Sequence, residues 1–69
     1  MKYRMSVDTR DRTMLVQGTD RAEVSRAAGF VNRVATAGPD DEFDFEGDHG
    51  DVASGRYGDI DAIWLDVEF

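Results

Sequence analysis

GDHGDVASGRYG, residues 47–58, places four glycines among twelve residues and separates two stretches whose relationship decides the fold. Before it stands EFDFE (42–46), in which Phe43 and Phe45 alternate with Glu42, Asp44 and Glu46, the period of two of a half-buried strand. After it stands DAIWLDVEF (61–69), where Ile63, Leu65, Val67 and Phe69 alternate with Ala62, Trp64, Asp66 and Glu68. Glycine at this density disfavours regular structure, so 47–58 reads as a flexible loop, and the two strands it joins read as the limbs of a C-terminal hairpin. Such a hairpin presents Glu42, Asp44, Glu46, Asp66 and Glu68 around an outward Trp64, with Asp48 and Asp51 continuing the acidic surface into the loop. A long apolar strand such as 61–69 is expected at the centre of a small sheet.

Toward the N-terminus, Tyr3, Met5 and Val7 alternate with Lys2, Arg4, Ser6 and Asp8, and TMLVQ (13–17) follows a polar turn at 9–12; the pair predicts a hairpin. Asp20, with Glu23 three residues on, has the form of a capping box. Val24, Ala27, Ala28, Val31, Val34 and Ala35 then fall on one helical face with Phe30 at its edge, and Gly38-Pro39 stops the helix. The helix is therefore expected over about residues 21–37. The fold predicted is α+β, a small antiparallel sheet with one helix packed on one face, in the order β-β-α-β-β, and residues 1–69 form a single small domain.

Charge is unevenly spread. Residues 1–39 hold seven basic and four acidic side chains, a net of +3, whereas residues 40–69 hold eleven acidic side chains against Arg56, a net of -10. Phosphates would be repelled by the second half, which argues against nucleic acid as its partner. The chain contains no Cys, so no disulfide or thiolate metal site supplements a small core. No apolar stretch approaches a membrane span and the N-terminal residues lack a signal-peptide apolar region, so no membrane partner and a cytoplasmic location are expected.

The acidic run DDEFDFEGDHGD (40–51) has the length of an EF-hand loop but places Phe45 where that loop needs Gly and Asp51 where it needs a bidentate Glu. Weak cation binding by clustered carboxylates stays open; a dedicated metal site is not expected. His49 is the single histidine, set among glycines with Ser54 as the nearest hydroxyl of chemical interest. A loop of that composition holds catalytic groups poorly, so neither catalytic residues nor a cofactor are expected, and the chain reads as a non-enzymatic protein.

The functional expectation is a small acidic inhibitor that imitates nucleic-acid backbone toward a basic, nucleic-acid-handling protein. Its partner-binding residues are Glu42, Asp44, Glu46, Asp48, Asp51, Trp64, Asp66 and Glu68. Small phage-encoded inhibitors of bacterial defence offer the analogy, through size and charge alone. The competing reading is an accessory domain of a salt-adapted or high-GC organism, whose acidic face serves solubility. Homodimerisation through a sheet edge or Trp64 is a further expectation, because the core is small.

Overall fold

The computed structural model describes residues 1–47 and 49–69. Strand β1 (Lys2–Thr9) turns back into β2 (Thr13–Gly18), with Tyr3 opposite Gly18 and Asp8 opposite Thr13. The polar turn closes on itself: Thr9 N–H donates to Arg12 O at 2.8 Å, and Arg12 N–H donates to Thr9 Oγ1 at 3.3 Å. Tyr3, Met5, Val7, Met14 and Val16 are buried on one face, as the alternation predicts.

Helix α1 (Arg21–Val34) starts where Asp20 Oδ1 accepts from Ala22 N–H at 2.9 Å. Glu23, expected in a capping box, joins the helix to β1. Its side chain is buried, and Oε1 accepts from the Tyr3 hydroxyl at 2.7 Å, tying the helix to β1. The helix is rotated from the predicted face, since Ala27 and Phe30 are in the core while Ala28 and Ala35 are exposed. It also ends three residues early, because the chain tightens through Thr36 N–H to Arg33 O at 3.0 Å before Asp41 Oδ2 accepts from Gly38 N–H at 3.0 Å.

The single four-stranded sheet is not what forms. Among the described residues, five strands make two antiparallel sheets: β2-β1-β5 and β3-β4, where β3 is Glu42–Glu46, β4 is Val52–Arg56 and β5 is Ile60–Glu68. The stretch expected to be a flexible loop contains β4, followed by a single tight helical turn, Tyr57–Asp59. Its glycines act at particular points instead of loosening the chain. Gly50, at φ 84°, makes the β3–β4 turn. Gly58 lies against residue 39, where a Cβ would stand 2.7 Å from the Pro39 carbonyl oxygen; its N–H donates to that oxygen at 2.9 Å.

With β4 present, β3 has a neighbour in sequence to pair with, and β5 crosses to the far side of β1. Lys2 stands opposite Glu68, Met5 opposite Leu65 and Val7 opposite Ile63, with a bulge at Asp61. The central strand is therefore β1, whose Met5 and Val7 are fully buried, and β5 is an edge. Between the sheets and the helix, Phe30 meets Phe43 at 5.3 Å, Phe45 at 5.8 Å and Tyr57 at 5.9 Å between ring centroids. This aromatic cluster joins the β3-β4 sheet to the rest of the core.

Candidate interaction surface

Phe43 and Phe45 are each 5% exposed, and their burial turns Glu42, Asp44 and Glu46 outward on the opposite face of β3. Alternate residues on a strand lie roughly 6.6 Å apart, so the three carboxylates form a ridge of about 13 Å. Arg56 stands opposite Glu42, Ser54 opposite Asp44 and the exposed Val52 opposite Glu46. The ridge therefore meets one cation across the sheet. Unscreened, two unit charges at that spacing in water repel by about 0.6 kcal/mol, and salt reduces this further. A small core can sustain such a cost.

Arginines bound the ridge at both ends. At the Glu42 end, Asp59 and Arg56 line a shallow groove with Glu42 and Asp44, and in the neighbouring groove Arg12 donates from Nη2 to Ser54 O at 3.3 Å. At the other end, Arg26 Nη2 donates to Glu46 O at 3.3 Å, with its guanidinium 5.0 Å from the Phe45 ring centroid. The ridge is thus held in shape by backbone contacts that leave its own carboxylates facing solvent.

Of the other predicted site residues, Trp64, Asp66 and Glu68 are not part of it. Because β5 pairs with β1 instead of β3, Asp66 stands opposite Arg4 and Glu68 opposite Lys2, and cross-strand pairs of opposite charge offset one another. Trp64, 57% exposed, stands opposite Ser6. Ser6 in turn stands opposite the exposed Leu15. Trp64 therefore belongs to a mixed face of the larger sheet and not to the acidic ridge. Asp51 is half-buried in the β3–β4 turn, where its carbonyl accepts from Gly47 N–H at 2.8 Å; Asp48 lies outside the described residues. The parity of β1 puts Lys2 and Arg4 on the same face as Ser6, but the strand they meet is set by the pairing of β1 with β5.

His49 lines a small hollow with Lys2, Gln17 and Thr19, while Ser54 lies in the grooves at the Arg56 end of the smaller sheet. Among the described residues, no group of three or more His, Asp or Glu side chains is arranged to hold a metal ion. Nor is any described helix long and apolar enough to cross a membrane. Compared with protein-family models, curated proteins and solved structures, the chain matches none.

Proposed function

We propose that this is a non-enzymatic cytoplasmic binding protein that docks the β3 ridge into a basic, nucleic-acid-handling site of another protein and so blocks it. The observation carrying this reading is the placement of Glu42, Asp44 and Glu46 on one face of a strand whose alternate residues, Phe43 and Phe45, are buried. Charges anchored this way are preorganised, so binding loses little side-chain order beyond the carboxylates themselves. They steer a cationic partner by long-range attraction and exclude anionic ones. The likeness to phage-encoded inhibitors of bacterial defence rests on size and charge.

A second reading is favoured by the spread of exposed carboxylates away from β3, at Asp11 and Asp61: an accessory domain adapted to high salt. One comparison separates the two. Wild-type protein, a Glu42→Gln/Asp44→Asn/Glu46→Gln variant and an Asp66→Asn/Glu68→Gln variant are immobilised and exposed to host lysate at low and moderate salt. The inhibitor reading expects one discrete nucleic-acid-binding protein, retained by the wild type and the Asp66/Glu68 variant and lost by the ridge variant. Equal, salt-labile retention of many basic proteins by all three, with stability rising steeply in molar salt, would support the salt-adapted domain instead.

A further inference from the structure

We draw no further inference here: the strongest candidate, the exposed Leu15 and Trp64 on either side of Ser6 across the outer face of the larger sheet, is an unpartnered face whose neighbouring charges, Arg4 opposite Asp66 and Lys2 opposite Glu68, already offset one another within the chain, so nothing in the structure shows what covers it.

Discussion

Phe30 is the residue on which the helix, the smaller sheet and the tight turn at Tyr57 converge, and replacing it tests the assembly of the fold. Its ring lies between 5.3 and 5.9 Å from those of Phe43, Phe45 and Tyr57, and the residue is 8% exposed. Removing a buried Phe side chain to Ala costs about 3–5 kcal/mol, combining lost transfer energy with the cavity left behind. Here three aromatic contacts are lost together, which points to the upper part of that range. At roughly 0.05–0.15 kcal/mol per residue, a chain this size has about 3–10 kcal/mol in total. Phe30→Ala therefore removes a large part of the stability and, near the lower bound, all of it. In urea, with a slope of about 1 kcal/mol per molar for a small protein, the unfolding midpoint should fall by about 3 M or more, or the folded far-ultraviolet signal should vanish without denaturant. Ala28→Ser and Phe69→Ala, both at exposed positions, should change stability by no more than about 0.5 kcal/mol. If Phe30→Ala unfolds within about 0.5 M of the wild type, or Ala28→Ser proves the more damaging, the helix is oriented as the apolar periodicity suggests and the aromatic cluster does not hold the sheets together.

Two glycines should respond in opposite directions. Gly58→Ala forces a Cβ to within 2.7 Å of Pro39 O and should cost about 1–3 kcal/mol, lowering the melting temperature by roughly 5–20 °C; Gly29→Ala, with nothing within 4 Å of the added carbon, should raise it through about 1 kcal/mol of helix propensity. A Gly58→Ala protein that melts with the wild type would mean that residues 57–59 do not pack under Pro39. Tyr3→Phe deletes the 2.7 Å donor to the buried Glu23 and should cost about 1.5–3 kcal/mol, since a buried charged acceptor loses a partner. Thermal melting of the two proteins side by side checks this, and equal midpoints would show that the bond contributes nothing net.

Local pattern carried a good deal. Period-two alternation identified β1, β2, β3 and β5, because side chains on a strand must alternate between core and solvent whatever their neighbours are. Asp20 announced the start of the helix, because free amides in the first turn need an acceptor. The same alternation puts Glu42, Asp44 and Glu46 on an outward face, where the structure exposes them. What failed was the step from strands to sheets. Composition reads the glycines at 50, 55 and 58 as looseness, whereas a turn at φ 84° and a backbone approach at Pro39 demand Gly for reasons that depend on the rest of the fold. Missing β4 left β3 without its true partner and joined it to β5, which drew Trp64, Asp66 and Glu68 into the acidic array.

By itself, then, the sequence determined β1, β2, β3 and β5 as strands with an apolar face, where the helix begins, and that Glu42, Asp44 and Glu46 stand on the face opposite Phe43 and Phe45, since these follow from backbone geometry within a few residues. Only the tertiary structure decided who pairs with whom: β5 beside β1, Asp66 beside Arg4, Phe30 at the centre of the aromatic cluster, and an edge left open at β5. Those outcomes depend on how distant segments share one small volume of buried apolar surface, and composition and spacing along the chain do not contain that competition.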